Sequence, residues 1–243
     1  MIQRLTSPTR EFFFEKVVSP AQPAIIENAM TEWKCRKWTD TYLAERLKNR
    51  KFRVNQTSNG RFGIRSMRPR PGETAISCTL KEFLELIETT PDFVHYMEQV
   101  TIDESAGALR EDVDFVPFLD ASRVRSVNFW FSQRESRIPL HWDSRDNILA
   151  QVRGRKSVRL YAPEQADNLY PGLEGEQWAS QIDMDAPDLT MFPKFRQATA
   201  AAELILDEGE MLYIPRRWWH HIITLSHLSL SINYWYEEQH SCP

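Results

Sequence analysis

Two short segments carry the residue types best suited to chemistry: His141-Trp142-Asp143, and Trp218-Trp219-His220-His221 near the end of the chain. Together they can offer two imidazoles and one carboxylate to a single metal ion, the donor set of open iron(II) sites. His141 and Asp143 stand two residues apart, so at the end of a β-strand both side chains project to one face. A third ligand from a distant strand then completes one triangular face of an octahedron. The opposite face stays open for a cosubstrate and oxygen, which a closed tetrahedral zinc site does not allow. Alone, His-x-Asp is weak, because such a pair more often marks an exposed strand end or a satisfied hydrogen-bonding pair.

Lys156 lies fifteen residues past His141, at the start of an apparent strand whose Val158 and Leu160 share its face. Apolar neighbours imply an inward ammonium, which needs an anionic partner because an isolated buried charge is costly. The plainer alternative is a strand-end lysine reaching solvent. Asn147 alternates with Leu149 on one side of the next segment, Asn128 and Trp130 share a face, and Ser231, Asn233 and Trp235 alternate with Leu230, Ile232 and Tyr234. That pattern suits a polar cavity wall, although a solvent-facing side gives the same alternation.

The elements that must position these residues read as mainly β with flanking helices. Strands are expected at Phe93–Val100, Val124–Ser132, Asn147–Val152, Ser157–Ala162, Leu204–Leu206, Met211–Ile214 and Ser229–Tyr236, from β-branched and aromatic content. Antiparallel strands in this number imply a double-stranded β-helix, the jelly-roll barrel of cupins. Residues 1–92 read as a mixed α/β flank packed around the outside of a sheet. Thr39 caps a helix through Lys48, Thr79-Leu80-Lys81-Glu82 is a capping box, and Lys51 to Ser66 is expected to be a hairpin turning at Asn59-Gly60. Residues 93–243 form the expected barrel, interrupted at about 163–203 by an insertion with a short helix through Gln165 and Leu169. Such insertions usually shape access at a barrel mouth. The whole chain, 1–243, reads as one domain.

Composition narrows the class. Hydrophobic residues at 42% and charged residues at 26% are ordinary for a globular chain and argue against wholesale disorder. No apolar run is long enough to cross a bilayer, and the first residues lack the apolar core of a signal peptide, so a cytoplasmic location is expected, with the nucleus open to a eukaryotic chain. Cys35, Cys78 and Cys242 are scattered without Cys-x-x-Cys spacing and read as unpaired small residues. The net charge of −4 does not suggest a nucleic-acid coat, yet Arg46 to Arg70 holds Arg46, Lys48, Arg50, Lys51, Arg53, Arg61, Arg65, Arg68 and Arg70 with no acidic residue. Such a run could meet phosphates, although a solvated face is the commoner meaning.

The runs HWDSRDNILAQVRGRKSVRLYAPEQADNLYP, GEMLYIPRRWWHHI and SINYWY resemble the JmjC family of iron(II)- and 2-oxoglutarate-dependent oxygenases, with a looser echo at Tyr96-Met97-Glu98-Gln99. The likeness is nearest to the small hydroxylase branch that holds the hypoxia-pathway asparaginyl hydroxylase and the tRNA wybutosine hydroxylases. The resemblance implies His141, Asp143 and His220 as iron ligands, with His221 a neighbour and not a ligand. It implies Lys156 on the distal carboxylate of 2-oxoglutarate, assisted by the Tyr96 hydroxyl, and Asn233 and Asn147 among the polar residues of the cosubstrate and iron region, to which the alternation adds Asn128 as a candidate cosubstrate contact. Iron(II), 2-oxoglutarate and O2 are the implied cofactors, with ascorbate as a supporting reductant. His95, His227 and His240 match nothing functional.

Two departures stand out. Ile138 sits where the asparaginyl hydroxylase has a threonine hydroxyl, and Trp178-Ala179 where it has an Arg-Gln pair that grips the target asparagine. Asparagine specificity therefore does not carry over. The chain also ends just past its last expected strand, without the C-terminal helices through which relatives dimerise, so that route is not expected and the oligomeric state stays open. The expected activity is hydroxylation of a C–H bond in a protein or peptide side chain. A tRNA base is the alternative, lysine demethylation ranks lower, and a non-catalytic cupin-like binding protein is the reading from another class.

Overall fold

The computed structural model describes residues 2–63, 70–173 and 178–237. Its strands are β1 (Gln3–Thr6), β2 (Ala24–Glu27), β3 (Lys51–Thr57), β4 (Thr74–Thr79), β5 (Val94–Thr101), β6 (Val124–Gln133), β7 (Arg137–His141), β8 (Asp146–Arg153), β9 (Lys156–Tyr161), β10 (Ala202–Leu206), β11 (Met211–Ile214), β12 (Trp219–Thr224) and β13 (Leu228–Tyr236). They form a larger sheet in the order β1-β2-β11-β8-β13-β6-β5-β3-β4 and a smaller one in the order β10-β9-β12-β7. This is the expected jelly roll. Among the described residues no helix is long and apolar enough to cross a membrane.

Alternation decides what each face of the larger sheet meets. Val127, Phe129 and Phe131 of β6, with Leu230, Ile232, Tyr234 and Tyr236 of β13, belong to the main hydrophobic core beneath the N-terminal helices. Their neighbours Asn128, Trp130 and Ser132, and Ser229, Ser231, Asn233 and Trp235, therefore face the smaller sheet. Asn128, Ser132, Ser229, Ser231 and Asn233 are all buried. The polar alternation thus belongs to a barrel interior and not to a wet surface. A second cluster around Leu149, Val158, Leu160 and Leu212 fills one side of that interior.

Helix Leu80–Thr89 shows how the covering layer is specified. Thr79 and Glu82 complete a reciprocal capping box, and Leu80, Phe83 and Ile87 are its buried face. Phe83 packs on Phe131 with ring centroids 5.4 Å apart, which seats the helix on β6. Helix Asp40–Leu47 begins as expected, with Thr39 accepting from the Tyr42 N–H.

Two expectations about the first third need correcting. It does not merely wrap the outside, because β1 and β2 extend the larger sheet beyond β11 while β3 and β4 extend it beyond β5. The expected Lys51–Ser66 hairpin also differs. β3 pairs with β4 and β5, and after the turn Arg61 bridges to Arg137 instead of returning along β3. Gly60 accepts from the Arg137 N–H at 2.7 Å and Phe62 donates to the Arg137 carbonyl at 3.1 Å, so this turn feeds the smaller sheet. Ile64, Arg65 and Ser66 lie outside the described residues.

Candidate functional site

The three metal-ligand candidates converge. His141 ends β7 and pairs in register with His220 of β12, whose other neighbour is Leu160 of β9. One ligand atom from each of His141, Asp143 and His220 lies within 4.8 Å of the others. The His220 Nε2 is 3.8 Å from the Asp143 Oδ2. Asp143 follows β7 and is fixed through its backbone, since its carbonyl accepts from the Arg217 N–H at 2.8 Å. Arg217 adopts a left-handed conformation, φ 66°, to make that approach.

The two imidazoles are oriented alike. His141 Nδ1 lies 2.8 Å from the Pro139 carbonyl, and His220 Nδ1 lies 3.0 Å from the Trp218 carbonyl. A carbonyl only accepts, so each Nδ1 carries a hydrogen and Nε2 is the ring atom that would meet a metal. Burial, then the adjacent His220 and His221, push His141 well below the usual histidine range, so this ring is neutral. Burial raises the Asp143 carboxyl, opposed first by His220 and then by the Trp235 indole and Asn147 amide facing it. The Asn147 Oδ1 is buried without a hydrogen-bond partner among the described residues. Imidazole nitrogens aimed at a carboxylate, with the unpartnered Asn147 Oδ1 acceptor beside it, fit an iron(II) ion.

A cavity of about 580 Å³ opens from this triad. It reaches Lys156, Tyr96, Asn147 and Asn233, four of the residues expected to bind cosubstrate. The Lys156 side chain is buried beside Val158 and Leu160, as its strand pattern implied. No carboxylate pairs with it among the described residues, and burial lowers its pKa to about 7. Tyr96 is raised well above the usual range, chiefly by burial and then by Glu98, so its hydroxyl stays a donor. Asn233 accepts from the Trp130 indole at 2.7 Å and is thereby held against the wall.

Asn128 departs from expectation. It is buried but does not line the cavity. Its Oδ1 accepts from Thr101 at 3.4 Å and its Nδ2 donates to Ser126 at 3.1 Å, so its hydrogen bonds are spent within the sheet. Ile138 does line the cavity, opposite Ile222. The hydroxyl missing at that position is replaced by an apolar wall.

The insertion touches the site directly. Its residues Trp178–Ser180 run beside Leu140–Trp142, with Trp142 N–H to the Trp178 carbonyl and Ser180 N–H to the Leu140 carbonyl, each 2.8 Å. Trp178 forms part of the cavity wall. Arg61 Nη1 lies 2.6 Å from Asp183, while Arg61 and Arg137 reach Asp185 at 3.4 and 3.3 Å, which clamps the insertion to the turn and to β7. His221 points to this clamp: burial, opposed by Asp185 and reinforced by Arg159, Arg137 and Arg70, lowers it to about 4.

Of the other histidines, His95 is buried between Thr90 and Gln133, and His227 pairs with Glu88 at 3.0 Å. His240 and Cys242 lie outside the described residues, and Cys35 and Cys78 are buried and unpaired. Sequence reasoning passed over Ser144 and Ile222 as wall residues and reached Glu98, Gln99 and Trp178 only through the resemblance. Only Ile222, two residues past His220, carried a readable period-two signal.

Residues 9–242 match the family described as Cupin-like domain. Over 247 residues the chain is 33% identical to Lysine-specific demethylase JMJ30 of Arabidopsis thaliana, covering 98% of this chain and 55% of that protein. It is 31% identical to Lysine-specific demethylase 8 of Xenopus tropicalis, covering 97% and 52% of the two chains. It is also 31% identical to HSPB1-associated protein 1 of Homo sapiens, covering 92% and 49%. The chain therefore spans about half the length of these relatives. On the extent of these matches, the chain belongs to the cupin-like JmjC family of 2-oxoglutarate oxygenases.

Proposed function

We propose that this chain is an iron(II)- and 2-oxoglutarate-dependent hydroxylase acting on a C–H bond of a protein side chain, with succinate and carbon dioxide as coproducts. The observation that carries the reading is one cavity holding both the His141, Asp143 and His220 donor set and the buried Lys156 amine. His141, Asp143 and His220 would hold the metal. Bound iron and 2-oxoglutarate supply oxidative decarboxylation coupled to oxygen insertion into the substrate C–H bond.

The chain's own residues bind and orient. The Pro139 and Trp218 carbonyls fix both imidazole rings before any ligand arrives, which lowers the ordering cost of binding. Lys156 offers a counter-charge to an entering dicarboxylate, and Tyr96 adds a neutral donor in the same cavity. Ile138, Ile222 and Leu149 limit water around that carboxylate. Trp178 and Trp142 wall the cavity on the side of the insertion.

Protein side chains are favoured as substrates by the relatives named as lysine-specific demethylases. Those names also support a second reading, in which the oxidised C–H belongs to an N-methyl group that leaves as formaldehyde. A tRNA base has less support. Arg46 and Arg50 donate to the backbone carbonyls of Ala108 and Glu104, and Arg61 is taken by Asp183 and Asp185. Peptide pools and tRNA incubated with the iron-loaded enzyme, then read by intact mass, separate these cases. A one-oxygen gain on a peptide supports hydroxylation, loss of a methyl group supports demethylation, and a gain confined to tRNA overturns the protein-substrate reading.

A further inference from the structure

The loop from Asp143 to Asp146 joins a metal-ligand candidate to β8, and the turn before β12 is tied to it twice. The Arg217 N–H donates to the Asp143 carbonyl at 2.8 Å, and the Arg216 N–H to the Asp146 Oδ1 at 3.1 Å. Both contacts are made by backbone, and both arginines are exposed. The Arg217 guanidinium lies over the Trp142 ring, 5.4 Å from its centroid. Trp142 is partly buried and lines the cavity, whereas Arg217 does not line it. The stack therefore stands at the cavity rim with the cation on the solvent side.

Two further guanidiniums belong to this rim. Arg145 in the loop and Arg125 of β6 both reach Glu237, each at 2.9 Å and on different carboxylate oxygens. One carboxylate thus serves two cations. The Asp146 carboxylate is buried and takes the Tyr213 hydroxyl and the Arg216 N–H on its Oδ1. Among the described residues neither the Arg216 nor the Arg217 side chain has an ion-pair partner, so guanidiniums at the rim outnumber the exposed carboxylate they meet.

Arg217 also holds φ 66°, a left-handed conformation that glycine adopts freely and a residue with a Cβ adopts only at a cost. The turn and its N–H bond to Asp143 need no side chain. What arginine adds over glycine there is a cation laid on an indole face. An arginine so stacked keeps its N–H edge directed outward, and that edge matches a carboxylate through paired hydrogen bonds.

An extended peptide advances about 3.3 Å per residue, so a substrate whose target reaches the metal carries its neighbouring side chains past this rim. The excess is local, on a chain of net charge −4, which suits a single carboxylate better than a polyphosphate backbone. We infer that Arg217, laid on Trp142 with Arg216 and Arg145 beside it, binds an acidic side chain of the protein substrate within about two residues of the oxidised one. The inference rests on the oxygenase reading and adds a sequence preference to it.

The test uses the full chain loaded with redox-inert Mn(II) and 2-oxoglutarate. Its probes are three heptapeptide pools, randomised except for a central Glu, Gln or Lys, with retention read by mass spectrometry. The wild type retains the Glu pool several-fold better than the Gln pool, the scale of an exposed ion pair. Arg217→Gln brings the Glu and Gln pools level. Arg217→Glu shifts preference toward the Lys pool, a gain that a misfolded chain cannot show. Equal retention of the Glu and Gln pools by wild type, a preference that survives Arg217→Gln, or no shift in Arg217→Glu with wild-type melting overturns the inference. Unmodified tRNA held more tightly than the Glu pool and released by Arg217→Gln also overturns it, in favour of phosphates. Substrate-free succinate formation by the wild-type iron form is measured alongside. Its absence strikes the oxygenase reading, whereas its presence without an acidic preference strikes only the role given to Arg217.

Discussion

The rings of His141 and His220 lie with centroids 4.1 Å apart and planes tilted by 53°, brought together by direct strand pairing between β7 and β12. Each ring gives its Nδ1 hydrogen to the carbonyl two residues before it. The same local device is used twice, so the donor direction is built into the backbone of each ligand-bearing strand. Two imidazoles at this separation beside Asp143 form a ligand set suited to a divalent cation.

Metal binding should therefore stabilise the fold. Manganese(II) or iron(II) added to the metal-free chain should raise Tm by several degrees, because a ligand at about a hundred times its Kd contributes about 2.7 kcal/mol. His141→Ala, Asp143→Ala and His220→Ala should each lose that rise, whereas His221→Ala should keep it. A metal-induced shift that survives Asp143→Ala would remove Asp143 from the ligand set.

Lys156 gives a pH signature. Its folded-state pKa is lowered to about 7, so from there up to the ordinary lysine range the unfolded chain binds the extra proton. The burial penalty is full below about pH 7 and is relieved as pH rises, so stability increases with pH across that window, by on the order of a few kcal/mol. Lys156→Met should flatten this dependence in urea melts at about pH 7 and about pH 9.5 and should stabilise the ligand-free chain at the lower pH. The same variant should raise the KM for 2-oxoglutarate by about tenfold or more. An unchanged KM would remove Lys156 from the cosubstrate site.

The clamp on the insertion is partly exposed, so its value lies in local order more than in global stability. Asp185→Asn removes the carboxylate shared by Arg61 and Arg137. It should cost at most about 1 kcal/mol of global stability. Limited proteolysis within residues 178–200 should nevertheless accelerate several-fold. Equal cleavage rates in the variant and wild type would show that the Trp178–Ser180 pairing holds the insertion alone.

Gly154 sits in the tight connection between β8 and β9, two residues before Lys156, at φ 78°, where an added Cβ would lie 2.6 Å from the Leu228 carbonyl oxygen. Gly154→Ala should destabilise by about 1–3 kcal/mol, through left-handed strain and this close approach. Urea denaturation checks it, and a change below about 0.5 kcal/mol would mean that the turn relaxes freely.

The barrel was legible because its strands carry their own alternation. Leu230, Ile232 and Tyr234 against Ser231, Asn233 and Trp235 marked β13 and its two faces, and the structure decided only that the polar face was interior. The triad was legible for the same reason, since His141 ends β7 as the spacing required and His220 follows the Trp218-Trp219 pair into β12. The first third was harder. β3 finds its partners in β4 and β5 across intervening loops, and no local pattern shows that Arg61 will bridge to Arg137. The shared placement of Glu98 and Gln99 was not legible because strict period two assigns them to opposite faces, and only the register shift between Met97 and Val100 of β5 brings both to the cavity. Asn128 misled for the converse reason: it shares the inward face, but Thr101 and Ser126 consume its amide.

The most direct test of the account is succinate formation by the purified chain supplied with iron(II), ascorbate and 2-oxoglutarate under air. The wild type should convert 2-oxoglutarate slowly without substrate, and His141→Ala and Asp143→Ala, folded to the wild-type circular dichroism spectrum, should form none above the protein-free control. Equal turnover in wild type and both variants, or no turnover in iron-loaded wild type, would contradict it.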